Sequence, residues 1–219
     1  MTMINWLNID SVFLDLDGTL LDLHFDNHFW LEHVPLCYAE RHGLEHSEAH
    51  SILNEKYSAV MGTLDWYCVE YWSKELELDI PRLKEDVADK IAVRPSVEEF
   101  LEYLHMIGKR VVLVTNAHPA SVAIKMNKTG LDRYFNRIIT SHELLLAKEE
   151  SGFWQKLQTI ESFDPGRTLF IDDNFSVLDA ASEYGIDNLL AIRKPDSMGD
   201  EKEHHEYPLL DSFDQITGG

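Results

Sequence analysis

Cysteine and basic residues are scarce in this 219-residue chain. Its two cysteines, Cys37 and Cys68, lie far apart with no CxxC pairing. Neither a disulfide-stapled secreted scaffold nor a thiolate zinc site is therefore expected. Lysine and arginine number 19 against 39 acidic residues, a formal net charge of −20. General affinity for nucleic acid or anionic membrane requires a basic face, so neither is a partner class here. No apolar run approaches the length of about 18 residues that suggests a membrane-spanning helix. The opening Met1-Thr2-Met3-Ile4-Asn5-Trp6 lacks the basic and apolar regions of a signal peptide. A soluble, cytoplasmic protein is the expectation. Hydrophobic residues make up 44% and charged residues 26% of the chain, a globular balance that rules out wholesale disorder. The length suits one large domain, or a core with a smaller insert. A chain this acidic binds a small anion only with local help from a metal or a placed lysine.

Five short apolar runs rich in β-branched residues are predicted as strands: Ser11–Asp15, Arg110–Thr115, Arg137–Thr140, Thr168–Asp172 and Asn188–Ile192. Helix-period stretches at Ser96–Met106, Pro119–Lys128, Glu149–Ile160 and Ser176–Tyr184 alternate with the later ones. Strands apolar on both faces and alternating with helices predict an α/β fold, a Rossmann-like parallel sheet covered on both sides. Residues 25–92 break this rhythm. They hold no strand pattern but four helical ones, Asn27–His42, Ser47–Met61, Leu64–Leu78 and Pro81–Ile91. Ser47 is the expected N-cap of the second and Pro81 suits the first turn of the last. The division expected is an α/β core from residues 1–24 and 93–219, with a helical insert between. The tail after Lys194 reads as irregular.

Chemistry concentrates where strands end. Val12-Phe13-Leu14 runs into Asp15-Leu16-Asp17-Gly18-Thr19, and Leu169-Phe170-Ile171 into Asp172-Asp173. Open α/β sheets bind ligands at the carboxyl ends of their strands. Carboxylates so close repel unless a cation shares the site, and oxygen donors suit Mg²⁺. Gly18 permits a sharp turn that exposes backbone N–H groups. Thr115 and Asn116 end the second strand and can donate hydrogen bonds to phosphate oxygens. Lys148 follows the third. An acidic turn or a solvated lysine would explain each segment alone; the set of four strand ends is harder to assemble without a shared purpose.

These four segments resemble, in order, the motifs of the haloacid dehalogenase-like hydrolases: Asp15-Leu16-Asp17-Gly18-Thr19 the first, Thr115 the second, Lys148 the third and Asp172-Asp173 the fourth. The resemblance implies a sheet with its first strand central, and a helical cap domain in residues 25–92. It also implies that Asp15 is a nucleophile forming an aspartyl-phosphate and that Asp17 is the general acid and base. Mg²⁺ would then be held by Asp15, the backbone of Asp17, and Asp172. Thr115, Asn116 and Lys148 would bind the phosphoryl oxygens, with Asp173 orienting Lys148 or a metal-bound water. Asp17 separates phosphatases from the dehalogenases, which lack that acid. His24–Trp30, Trp66–Trp72, Thr115–Pro119, Thr129–Asp132 and Pro195–Ser197 further resemble the bacterial GMP/IMP nucleotidase branch of the family, which implies a purine 5′-nucleoside monophosphate as small-molecule substrate. Phosphoglycolate, a sugar phosphate, or a phosphomutase reaction are the alternatives. A phosphate-accepting receiver domain fits less well, because it needs neither Asp17 nor a long insert.

Phe25, Phe29, Trp30, Trp66, Tyr67, Tyr71 and Trp72 could stack on a purine. Trp66, Val69 and Trp72 have near-helical spacing, however, which favours packing for Trp66, Tyr71 and Trp72. Asn27, Phe29 and His118 are the possible substrate contacts. The eleven histidines contain no HExxH spacing, so no histidine metal centre is expected. Glu98-Glu99 and Glu149-Glu150 read as solvated helix starts. Access of anionic substrates to so acidic a protein would depend on Mg²⁺ and Lys148.

Overall fold

The computed structural model describes residues 4–203 and 206–217; His204 and His205 of the tail lie outside the described residues. Strand β1 (Ser11–Leu14) sits centrally in a six-stranded, wholly parallel sheet of order β3-β2-β1-β4-β5-β6. The others are β2 (Arg110–Thr115), β3 (Arg137–Thr140), β4 (Thr168–Asp172), β5 (Asn188–Ile192) and β6 (Leu209–Leu210). Alternate β1 residues feed opposite faces: Val12 and Leu14 join one apolar cluster and Phe13 the other. Burial on both faces is why these strands are continuous apolar runs. Two expectations need correcting here. Strand β1 stops at Leu14, although the Asp15 N–H still donates to the Ile171 carbonyl at 3.0 Å. The tail is also not wholly irregular, since it returns to add β6 beside β5.

Between β1 and β2 lie the helices α1 (His24–His28), α2 (Val34–His42), α3 (His46–Val60), α4 (Leu64–Tyr67), α5 (Val69–Leu76), α6 (Ile80–Asp86) and α7 (Val97–Met106). A π-helical turn at Phe29–His33 joins α1 to α2 just before Pro35, whose missing N–H interrupts the α ladder. The expected single helix over Leu64–Leu78 is broken at Cys68, whose extended backbone starts α5 and whose Sγ accepts from the Tyr71 N–H. The expected helix over Pro81–Ile91 ends at Asp86 and resumes only as a 3₁₀ turn. Ser47 is not a cap: α3 begins one residue earlier, after an extended Glu45. Pro81 does occupy the first turn of α6, which Asp79 caps at the Arg82 N–H.

The remaining helices are α8 (Pro119–Thr129), α9 (Ser141–Leu144), α10 (Phe153–Ile160) and α11 (Phe175–Tyr184). Helix α10 starts four residues later than expected, after Gly152, so Glu149 and Glu150 lie in a turn rather than at a solvated helix start. Two crossings join the helical insert to the sheet. They pair with each other through Asp22 N–H to Ala92 O (2.9 Å) and Arg94 N–H to Leu20 O (3.0 Å). The tail fastens this strap: Arg94 Nη1 donates to the carbonyls of Lys194 and Pro195, and Ser197 N–H to Asp22 Oδ1.

Candidate active site

Because all strands run parallel, their carboxyl ends meet at one edge, and the polar residues that end them face one cavity of about 380 Å³. Asp15 follows β1, Thr115 closes β2, Asp172 closes β4, and Lys148 arrives on the turn after α9. Lys148 Nζ lies 2.5 Å from Asp15 Oδ1 and 2.6 Å from Asp172 Oδ2, and also donates to the Val114 carbonyl. All three side chains are almost fully buried. Asn116 holds the Lys148 turn from both ends: Oδ1 accepts the Lys148 N–H at 2.9 Å and Nδ2 donates to Glu149 Oε2 at 2.8 Å. Asp173 is paired with Lys202 at 3.1 Å. Gly18 has φ +83°, and a Cβ there would stand 2.8 Å from Asp173 Cγ. Glycine is needed both for the left-handed turn and for this close approach.

A second layer sits beside the first. Asp17 forms a 2.6 Å ion pair with Lys125 of α8. Lys125 also reaches Asp26 of α1 at 2.8 Å, and Asp26 is 3.2 Å from Lys84 of α6. Lys84 lies over the Phe29 ring at 4.4 Å, which offsets part of its desolvation. The cavity thus gathers five carboxylates, Asp15, Asp17, Asp26, Asp172 and Asp173, against the four ammonium groups of Lys84, Lys125, Lys148 and Lys202.

Burial dominates the acid–base behaviour. It pushes Asp15 up to about 6 against the pull of Lys148, and Asp17 to about 6 with further upward pressure from Asp26. Asp172 is likewise pushed by burial to about 6. Asp26 stays below the usual carboxylate range; burial opposes this, but Lys125 and Lys84 outweigh it. For Lys148, burial acts downward and is overcome by Asp15 and Asp172, so its ammonium form is held well above the usual range.

The Asp15, Asp172 and Asp173 carboxylates approach one another within 4.8 Å. Two buried carboxylates and the half-buried Asp173 exceed the charge that Lys148 and Lys202 supply, and the donors are all hard oxygens. This set fits a Mg²⁺-type cation. Asp173 therefore belongs with the metal-compatible carboxylates, whereas the side chain of Asp17 faces Lys125.

A seam closes the cavity from the insert side. Tyr67 Oη donates to Glu149 Oε1 at 2.9 Å, and the phenol is held well above its usual range by burial and by Glu149. His118 Nε2 lies 2.6 Å from Glu70 Oε2, while its Nδ1 accepts the Ala120 N–H to cap α8. Burial keeps His118 below the ordinary histidine value.

Asp15, Asp17, Thr115, Asn116, Lys148, Asp172 and Asp173 all line the cavity, as do Asn27 and His118. Phe29 does not reach it. Its ring is fully buried against Trp30 and Phe25 in the insert core. Asn27 is already engaged, donating to Asp196 Oδ2 at 2.7 Å. Trp72 is buried and Tyr71 packs edge-on against it, while Trp30, Trp66 and Tyr67 line the cavity. Sequence reasoning missed Lys84, Lys125, Asp26 and Lys202. Lys125 had a usable signal: His118, Ser121 and Lys125 share a helix face that begins at the end of β2.

The haloacid dehalogenase-like hydrolase family model matches residues 9–185. The GMP/IMP nucleotidase YrfG of Escherichia coli strain K12 is 38% identical over 213 residues, 97% of this chain and 96% of that protein. A phosphoglycolate phosphatase of Pseudomonas fluorescens is 28% identical over 102 residues, 47% of this chain and 38% of its own length. The crystal structure of a HAD phosphatase from Thermococcus onnurineus superposes with a TM-score of 0.78 at 22% identity, covering 95% of this chain and 96% of that one. The matched span carries β1 to α11 and every strand-end residue described above, and the chain belongs to the haloacid dehalogenase-like hydrolases.

Proposed function

We propose that the protein is a Mg²⁺-dependent phosphomonoesterase that works through an aspartyl-phosphate on Asp15 and acts on purine 5′-nucleoside monophosphates. The observation that carries the reading is the buried Asp15–Lys148–Asp172 cluster at the cavity floor, with Asp17 one residue beyond Asp15. Asp15 attacks phosphorus through a carboxylate oxygen, and the bond to the ester oxygen breaks. Asp17, whose carboxyl is pushed by burial to about 6, is partly protonated near neutrality and gives its proton to the leaving oxygen. In the second half it takes a proton from water, which attacks phosphorus and frees Asp15. Thr115 Oγ1, Asn116 and Lys148 hold the phosphoryl oxygens in place. Mg²⁺, held by Asp15, Asp172 and the backbone of Asp17, would lower the repulsion between two anions that must meet. Asp173, paired with Lys202, would add a further carboxylate oxygen beside Asp15 and Asp172.

Residues 25–92 act as the cap domain in this reading. Trp30, Trp66 and Tyr67 give the cavity an aromatic wall from the insert, which suits a purine base. Relatedness to a GMP/IMP nucleotidase over nearly the whole chain supports the same substrate class, with IMP and GMP foremost. A smaller ester such as phosphoglycolate is the second reading, supported by the partial likeness to a phosphoglycolate phosphatase. A phosphomutase would share the aspartyl-phosphate but release little phosphate.

Phosphate release at neutral pH from IMP, GMP, AMP, a pyrimidine monophosphate, phosphoglycolate and a sugar 1-phosphate, with Mg²⁺ and with EDTA, tests the proposal. Mg²⁺-dependent release led by IMP and GMP is expected. Release chiefly from phosphoglycolate would overturn the nucleotide assignment, and release undiminished by EDTA would overturn the role of the metal.

A further inference from the structure

Beside the cavity, at the seam between insert and core, three side chains from distant parts of the chain converge: Cys68 between α4 and α5, His118 at the start of α8, and His142 in α9. One ligand atom from each lies within 4.8 Å of the others. The His118 and His142 rings meet edge-on with centroids 4.6 Å apart. Both nitrogens of His142 are buried without a hydrogen-bond partner among the described residues. Burying two such polar atoms without a protein partner is costly, and nothing in the hydrolytic chemistry requires it. Glu70 completes the group, with Oε2 2.6 Å from His118 Nε2 and 3.7 Å from Cys68 Sγ.

We propose that Cys68, His118 and His142, with Glu70 as fourth ligand, form a binding site for a zinc-type divalent cation that bridges the helical insert to the α/β core. The site is separate from the Mg²⁺-compatible carboxylates, and its donors are of a different kind. One thiolate, two imidazoles and a carboxylate are a borderline-soft set that favours Zn²⁺ over Mg²⁺. Tetrahedral bonds of about 2.0–2.3 Å bring ligand atoms to roughly 3.3–3.6 Å of each other. The Cys68, His118 and His142 ligand atoms lie within 4.8 Å of one another, and the 2.6 Å contact between His118 and Glu70 opens toward that range when both bind the cation. Binding releases the Cys68 thiol proton. Coordination through His118 Nε2 moves its ring proton to Nδ1, which gives up the bond to the Ala120 N–H. The cation then ties Cys68 and Glu70 of the insert to His118 and His142 of the core. This fastens the Trp66–Val69 wall of the cavity, and the proposal holds whichever phosphate ester the cavity accepts.

Cobalt titration of the full chain in saturating Mg²⁺ tests this, since a cobalt–thiolate bond has a near-ultraviolet charge-transfer band that carboxylates do not give. Expected are one equivalent bound with that band, its loss on Zn²⁺ addition, its absence in Cys68→Ser, and at least tenfold weaker binding in His142→Gln. Melting curves without cobalt check that each variant folds, and His118→Asn, whose amide retains a capping acceptor, replaces any that does not. Cys37→Ser is expected to keep the band, although Cys37 Sγ lies 3.8 Å from His33 Nε2. No band in the wild-type chain would overturn the proposal. So would a band that survives Cys68→Ser, one that is lost in Cys37→Ser, or unchanged affinity in both histidine variants.

Discussion

Asp17 has to carry a proton in one half of the proposed reaction and accept one in the other. Its ion pair to Lys125 is what keeps it oriented in a buried site. Asp17→Asn is expected to lower kcat by about 10²–10⁴-fold with little change in KM, as measured by steady-state phosphate release. Gly18→Ala tests the turn beside it. The left-handed φ and the approach to Asp173 both penalise a Cβ, so a loss of about 1–2 kcal/mol is expected in denaturant unfolding, together with weaker Mg²⁺ binding. At this scale the sequence was readable where chemistry sits next to a strand. Asp15, Thr115, Lys148 and Asp172 stand out because apolar runs lead to them or closely precede them. Lys84 could not be told from a solvated lysine, since its partner Asp26 is distant in sequence, and Lys125 was marked only by the helix face it shares with His118 and Ser121. Cys68, His118 and His142 were scattered beyond any spacing rule for the same reason.

Among the elements, four strands lie where apolar, β-branched runs place them, because burial on both faces leaves no polar position to blur the pattern. The two-residue β6 is too short to carry a pattern, and it forms only because the tail folds back onto β5. The insert helices were legible as helices but not in their breaks. Cys68 ends α4 by an extended backbone that no breaker residue announces. That break aims Tyr67 at Glu149 and so closes the seam. Tyr67→Phe removes the bond while keeping the ring. The expected outcome is a several-fold rise in KM for the preferred nucleotide, a smaller change in kcat, and faster hydrogen exchange over 64–76, as for an element that gates a site. Unchanged exchange there would separate the bond from the movement of the insert.

For the whole molecule, the −20 charge and the carboxylate-rich cavity make stability depend on pH and on cations. Asp15 and Asp172 rise from 3.8 to about 6 on folding. Between those values the folded chain holds more protons than the unfolded one, so their contribution favours folding in acid and is lost as pH rises through about 6. A bound cation compensates once these groups are ionised, whereas protons compete with it below. Mg²⁺ is therefore expected to raise the melting temperature more at about pH 7.5 than at about pH 5, as followed by thermal unfolding with Mg²⁺ and with EDTA. An equal rise at both would mean that the cation binds elsewhere.

The central claim is that Asp15 accepts a phosphoryl group from a purine nucleotide. Acid quenching of the Mg²⁺ enzyme during turnover of IMP labelled at its phosphorus tests it most directly. The account requires label on the protein, mapped to the peptide carrying Asp15 and absent in Asp15→Asn. Turnover of IMP that proceeds in Asp15→Asn, or label on a different residue, would contradict it.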